Sequence, residues 1–273
     1  MLLHDTAMRI KDVWGQKGIP RSDAEILLSV LLQRDRSWIF AHSEVEIPSQ
    51  HVVTLEAWIR RRKDDEPVAY ILRQQEFFGR MFTVDARVLI PRPSTEGLVE
   101  LALEVADGTF QGDVLRTIDT GIVAYGQRWG EDTVTTMSDV GTGSGCIAVT
   151  LACERPSMHM IASDVSEDAL HVARENAETH QVSAQIEFKK GFLLEPLQNQ
   201  KNPFILVSNI PYVPDQYDVP HAVLYEPRNA LFGGEDGTDF LLPMVGAARQ
   251  NPACVGFVVE CREDQVAAIT RRA

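Results

Sequence analysis

The densest chemistry in the sequence sits in Asp139-Val140-Gly141-Thr142-Gly143-Ser144-Gly145, where an apolar run ends and a helical pattern begins. Glycines at such a turn let backbone approach a ligand, and the helix that follows offers free N–H groups. A glycine-rich turn alone is a weak signal. Here the pattern is G-x-G-x-G with an acid two residues ahead of the first glycine, unlike the pyrophosphate-cradling G-x-G-x-x-G. That acid, Asp139, would repel a dinucleotide's phosphates and suit an ammonium group. Asp164, 25 residues later at the end of the next apolar run, can accept both hydroxyls of a ribose. The turn and the two acids together specify S-adenosylmethionine better than a nicotinamide dinucleotide.

A second constellation is Ser208-Asn209-Ile210-Pro211-Tyr212. An Asn side-chain oxygen and the next backbone carbonyl can each accept one N–H of a planar NH₂ group, leaving its nitrogen facing a methyl donor. Tyr212 would stack on the planar group or pack over its edge. Asn-x-Pro is also ordinary turn chemistry. Its place one strand end away from the glycine turn favours the functional reading.

The elements that must position these residues follow from periodicity. Strands are expected at 134–140, 158–164, 186–190, 204–208 and 255–261, and helices at 146–154, 167–180 (capped by Ser166), 238–249 and 263–271. Such alternation implies a parallel sheet covered on both faces, with the ligand at the carboxyl strand ends near the topological switch point. Before it, residues 7–63 read as several short helices, with Ala24, Leu27, Leu28, Leu31 and Leu32 on one face, Ser22 as a candidate N-cap and Pro20 ahead of it. Arg60-Arg61-Arg62-Lys63 reads as a solvated helix end rather than a nucleic-acid contact. Residues 76–84 look like a hairpin turning at Gly79, followed by Ile90-Pro91-Arg92-Pro93 and a helix over 95–105. The expected domains are therefore 1–75, helical and substrate-docking; 76–94, hairpin and Pro-rich linker; and 95–273, the α/β catalytic domain. Residues 107–132 carry no assignable pattern.

With 273 residues, 44% hydrophobic and 24% charged, the chain is an ordinary globular sequence, and disorder is excluded. Its net charge is −13, carried by residues 86–273 rather than by the first 85, which argues against direct nucleic-acid binding. Cys146, Cys153, Cys254 and Cys261 suggest neither a zinc site nor a disulfide framework. Met1-Leu2-Leu3-His4-Asp5 lacks a leader pattern and no 18-residue apolar run occurs, so a cytoplasmic protein with no membrane partner is expected.

Over residues 60–262 the sequence resembles the HemK/PrmC protein-(glutamine-N5) methyltransferases, which modify the glutamine of the GGQ tripeptide in peptide-chain release factors. The resemblance rests on Glu66-Pro67-Val68-Ala69-Tyr70-Ile71-Leu72, Phe77-Phe78-Gly79-Arg80, Val88-Leu89-Ile90-Pro91-Arg92-Pro93, the glycine turn and the Asn209 segment. It rests above all on Glu226-Pro227-Arg228-Asn229-Ala230-Leu231-Phe232-Gly233-Gly234-Glu235-Asp236-Gly237. It implies a class I S-adenosylmethionine-dependent methyltransferase fold, Rossmann-like, preceded by a small all-α domain and a β-hairpin. By that resemblance Asp139, Gly141, Thr142, Gly143, Ser144 and Gly145 border the cofactor, Asp164 its ribose, and Phe192 and Leu193 its adenine. Asn209 borders the cofactor too, and with Ile210, Pro211 and Tyr212 it holds the glutamine amide. No metal is implied. Ile210 replaces a usual proline, Phe192 and Ser94 replace usual acids, and the stretch 107–132 is longer than usual. The resemblance also implies two further strands after 255–261, for which no sequence follows, so 255–261 would be an unguarded edge unless 107–132 or a partner covers it. Three rivals stay open: a ribosomal-protein glutamine as substrate, a nucleic-acid amino group as substrate, and an inactive cofactor-binding relative.

Overall fold

The structure, a computed structural model, describes residues 8–109, 116–118, 121–126 and 134–272. The leader reading of residues 1–5 and the remainder of 107–132 lie outside the described residues. Two compact units emerge, residues 1–73 with 220–225 and residues 74–219 with 226–273.

The first unit is helical: α1 (Ile10–Trp14), α2 (Arg21–Leu32), α3 (Arg36–Ala41), α4 (Ser49–Lys63) and α5 (Val68–Leu72). Ile10, Val13, Leu27, Leu28, Ile39, Leu55 and Ile59 form its buried centre. Helix α2 starts one residue before the expected Ser22 cap. Pro20 holds the extended N-cap backbone, and the Ser22 hydroxyl donates to Asp23 instead. The basic run at the end of α4 is engaged inside this unit: Arg61 forks onto Glu66 at 2.6 and 2.7 Å and Arg62 meets Asp23 at 2.7 Å.

The second unit opens with β1 (Gln74–Phe77) and β2 (Arg80–Thr83), an antiparallel pair turning on Phe78 and Gly79, both left-handed, as tight two-residue hairpins require. Glu96 accepts from the Phe78 N–H at 2.9 Å, which helps hold that non-glycine turn residue. Next come α6 (Ser94–Ala106), β3 (Arg116–Ile118), β4 (Ile122–Gly126), β5 (Thr136–Val140), α7 (Cys146–Glu154), β6 (His159–Asp164), α8 (Glu167–Thr179), β7 (Ile186–Lys190), β8 (Phe204–Ser208), α9 (Leu241–Gln250), β9 (Cys254–Glu260) and α10 (Val266–Arg272). Helix α9 begins three residues later than the expected 238. The Asp236 carboxylate takes both the N–H and the hydroxyl of Thr238 and spends that residue on a turn.

The sheet order is β3-β4-β9-β8-β5-β6-β7. Strands β5 to β9 run parallel, and the order reverses between β5 and β8. Two apolar layers cover it. One, with Leu98, Ile147 and Leu151, lies under α6 and α7; the other, with Leu241, Met244 and Ile269, lies under α9 and α10. The edge expected at 255–261 is covered. Strand β4 pairs antiparallel along β9 from Ile122↔Glu260 to Gly126↔Gly256, and β3 pairs antiparallel outside it. Both covering strands, β3 and β4, come from the stretch ahead of β5 that carries no assignable pattern in the sequence. Buried Val123 and Ala124 join the two core layers, one on each face, as strand alternation dictates.

Candidate active site

The carboxyl ends of β5, β6 and β8 surround a cavity of about 450 Å³. Its glycine-turn wall is fixed by backbone bonds: the Gly141 and Thr142 N–H groups both donate to the Ser163 carbonyl, at 2.8 and 2.9 Å, and Gly145 N–H to the Thr142 carbonyl. Asn176 of α8, fully buried, exchanges bonds with Thr83 (2.7 and 3.0 Å) and donates to the Ser144 carbonyl at 2.8 Å. One side chain thereby ties the hairpin to the turn.

The three glycines serve different needs. A Cβ on Gly141 would lie 2.8 Å from the Ile210 side chain, and one on Gly145 would lie 3.0 Å from Ala173. At Gly143, with φ of +54°, a Cβ would meet nothing within 4 Å, because the position opens on the cavity. Gly141, Thr142, Gly143 and Ser144 line the cavity, whereas Gly145 packs α7 against α8 and does not.

Asp139 is placed differently from the expectation that it faces an ammonium group. It is fully buried behind the turn, where its Oδ2 accepts from the Thr142 hydroxyl at 2.6 Å and the Ala148 N–H at 3.1 Å, and its Oδ1 has no partner. Burial pushes its carboxyl up to about 7, against those two hydrogen bonds. Asp139 therefore shapes the loop from within. Asp164 does line the cavity. Its Oδ2 accepts from Gly143 N–H at 3.0 Å and its Oδ1 from Ser166 N–H at 2.9 Å, which fixes the carboxylate while each oxygen keeps a lone pair for a ribose hydroxyl. Burial raises its carboxyl too, and the backbone N–H groups oppose the shift.

Phe192 and Leu193 lie on the same cavity. The Phe192 ring is 45% exposed and meets Phe240 edge to face at 6.0 Å, so two aromatic groups are available to a flat heterocycle. The Glu195 carboxylate accepts from the Phe192 N–H at 3.1 Å. An open glycine position, an anchored acid and a half-exposed aromatic on one cavity fit the amino-acid, ribose and adenine parts of S-adenosylmethionine.

Asn209, Ile210 and Pro211 line the cavity as well. The Asn209 Nδ2 donates to the Thr95 hydroxyl at 3.0 Å. The Ser208 hydroxyl donates to the Val140 carbonyl at 2.7 Å and ties the segment to the glycine turn. Tyr212 is not among the lining residues. Its buried hydroxyl needs an acceptor and finds Glu260 at 2.9 Å, which turns it away from the stacking position expected of it. The Glu226–Gly237 string supports this segment from behind: Val213 N–H donates to the Leu231 carbonyl at 3.0 Å, Gly233 N–H donates to the Val213 carbonyl at 2.9 Å, and a Cβ on Gly237 would collide with the Tyr212 carbonyl. Glu226, 5% exposed, accepts from the Ile90 N–H at 3.0 Å and pairs with Arg92. The Ile90–Pro93 segment and the Glu226–Gly237 string are thus bonded together as one wall.

Residue patterns did not single out Thr95, Glu226 or Glu260 as site residues. The signal for Glu260 was an acid at the end of an otherwise apolar strand. It is 1% exposed, and burial pushes its carboxyl up while hydrogen bonds from Thr95, Tyr212 and Ser94 and the Arg92 charge pull it down.

Residues 11–72 match the PrmC N-terminal domain family and residues 115–235 match the Methyltransferase small domain family. A release factor glutamine methyltransferase from Koribacter versatilis (strain Ellin345) is 39% identical over 225 residues, covering 81% of this chain and 71% of the relative. One from Neisseria gonorrhoeae (strain ATCC 700825 / FA 1090) is 34% identical over 263 residues, covering 94% of this chain and 86% of the relative. A third, from Coxiella burnetii (strain RSA 493 / Nine Mile phase I), is 34% identical over 230 residues, covering 84% and 74%. Matches of this extent, spanning the helical unit and the sheet alike, make the chain a member of the release factor glutamine methyltransferase family.

Proposed function

We propose that the protein methylates the side-chain amide nitrogen of the glutamine in the Gly-Gly-Gln tripeptide of a peptide-chain release factor, in the cytoplasm. The observation that carries the reading is Asn209, whose Nδ2 is held by Thr95 so that Oδ1 is left for a ligand on the cavity bordered by Gly143 and Asp164. S-adenosylmethionine supplies an electrophilic methyl group on sulfur.

The Asn209 Oδ1 and the Ile210 carbonyl accept the two N–H groups of the glutamine amide and aim its nitrogen at the methyl carbon. Transfer of that methyl group would exchange its bond to sulfur, whose electron pair stays with sulfur, for a new N–C bond to the nitrogen that Asn209 and Ile210 hold in place. The amide then sheds one N–H proton to solvent and becomes N5-methylglutamine. An amide nitrogen is a poor nucleophile because its lone pair is delocalised into the carbonyl. Fixed acceptors on both N–H groups favour the charge that builds on nitrogen and cost no reorganisation during the step. Ile210 keeps this chemistry because its carbonyl, not its side chain, is used. Asp164 would orient the ribose, and Phe192 with Phe240 the adenine.

Incubation with S-adenosylmethionine and a release factor, followed by peptide mapping, should place one methyl group on the tripeptide glutamine. A release factor with that glutamine replaced by asparagine should stay unmodified. Methylation elsewhere, or equal methylation of both, would refute the reading.

A further inference from the structure

Beyond the glutamine amide, a Gly-Gly-Gln acceptor offers only its backbone, because glycine has no side chain to recognise. Whatever reads the two glycines must therefore meet peptide N–H or carbonyl groups. Among the described residues, Arg87 and Arg92 are the cationic side chains on the cavity. Arg87 is committed to Asp85, with Nε at 2.8 Å and Nη2 at 2.7 Å. Arg92 meets Glu226 through Nη2 alone. Its Nε and Nη1 N–H groups have no protein acceptor among the described residues, and its side chain is 35% exposed. The Arg92 carbonyl accepts from the Thr95 N–H at 3.0 Å, and the Thr95 hydroxyl receives the Asn209 Nδ2, so Arg92 belongs to the wall built around Asn209.

Glu226 holds this guanidinium from behind. Its side chain is 1% exposed, and its second oxygen accepts from the Ile90 N–H at 3.0 Å, so the carboxylate is fixed at both ends. The Arg92–Glu226 pair is neutral as a whole, yet it leaves strong donors of fixed geometry on the cavity. Such donors suit a neutral carbonyl. An anionic group would bring a second negative charge beside buried Glu226. We infer that Arg92 is a specificity residue for the acceptor: its free N–H groups bind a backbone carbonyl of the Gly-Gly segment while Asn209 and the Ile210 carbonyl hold the glutamine amide. Glycine permits the close backbone approach that this bond needs. The inference rests on the Gly-Gly-Gln reading of the substrate.

The test uses the full chain, S-adenosylmethionine and a release factor. Arg92→Met alone would leave Glu226 buried and unpaired, so it is combined with Glu226→Gln, whose oxygen can still accept from the Ile90 N–H. Arg92→Lys keeps the charge for Glu226 and lacks the planar fork, and it carries the test if the double variant fails to fold. KM for the release factor should rise about tenfold or more in the double variant and about fivefold or more in Arg92→Lys. In both, kcat should stay within about threefold and cofactor affinity within about twofold. An unmoved KM, or an Arg92→Lys equal to wild type, overturns the inference. A kcat that falls while KM holds overturns it too, because Arg92 would then only build the wall around Asn209. Cofactor affinity that falls with KM would move Arg92 to the cofactor carboxylate and overturn it as well. A wild-type chain that leaves the release factor unmodified refutes the substrate reading and this inference with it, whereas methylation by wild type with KM unmoved in the variants refutes this inference alone.

Discussion

Gly143 and Asn209 face the same cavity and divide its work, so their variants should fail differently. A side chain on Gly143 enters the space that opens there, at a backbone conformation β-branched residues avoid. Gly143→Val should therefore weaken S-adenosylmethionine binding strongly in calorimetry, and unchanged affinity would remove this loop from the cofactor site. Asn209→Ala removes an acceptor used in the reactive complex. Turnover should fall by the equivalent of about two to four kcal/mol, by analogy with a lost oxyanion-hole donor, with cofactor affinity nearly kept. Asp139 makes a pH prediction. Its folded carboxyl titrates at about 7, above the ordinary carboxylate range, so the folded state binds the proton more tightly than the unfolded chain. That contribution to stability is complete at pH below the ordinary range and is lost as pH rises through about 7. Asp139→Asn does not titrate, and its oxygen can still accept from Thr142 and Ala148. The melting temperature of Asp139→Asn relative to wild type should rise between pH 5 and 8, and a constant difference would contradict the buried, proton-binding Asp139.

At the level of elements, what was legible in the sequence was whatever is encoded locally. Strands β5, β6 and β8 are short, nearly continuous buried runs between turn signals, and α8 carries its own Ser166 cap, donated to by Ala169 at 3.2 Å. Strand β4 was not legible. Its five residues pair with β9, 130 to 138 positions later, and nothing nearby in the sequence announces that partner. Tyr212 and Asp139 were misplaced for a related reason: the acceptor or donors that decide where each side chain points come from Glu260, Thr142 and Ala148 after folding. The role of β4 is testable. Val123 is fully buried beside β9, and Val123→Asp puts an unpaired charge there. The variant should lose about 3 kcal/mol or more and, with the apolar β9 uncovered, self-associate in sedimentation. A monomer melting like wild type would show that β9 does not need this cover.

Across the whole molecule, membership in the family, the fold and the cavity agree on methyl transfer. The net charge of −13 disfavours a nucleic-acid substrate, and no helix of the described residues is long and apolar enough to cross a membrane. The central claim concerns the acceptor, and competition tests it most directly. Wild-type protein would be given radiolabelled S-adenosylmethionine and a mixture of release factor, ribosomal proteins and DNA, and the label would be located by fractionation and peptide mapping. The account predicts label on the side-chain nitrogen of the release-factor Gly-Gly-Gln glutamine and its loss with Asn209→Ala. Label that settles on DNA or on a ribosomal protein, or that persists undiminished in Asn209→Ala, would contradict it.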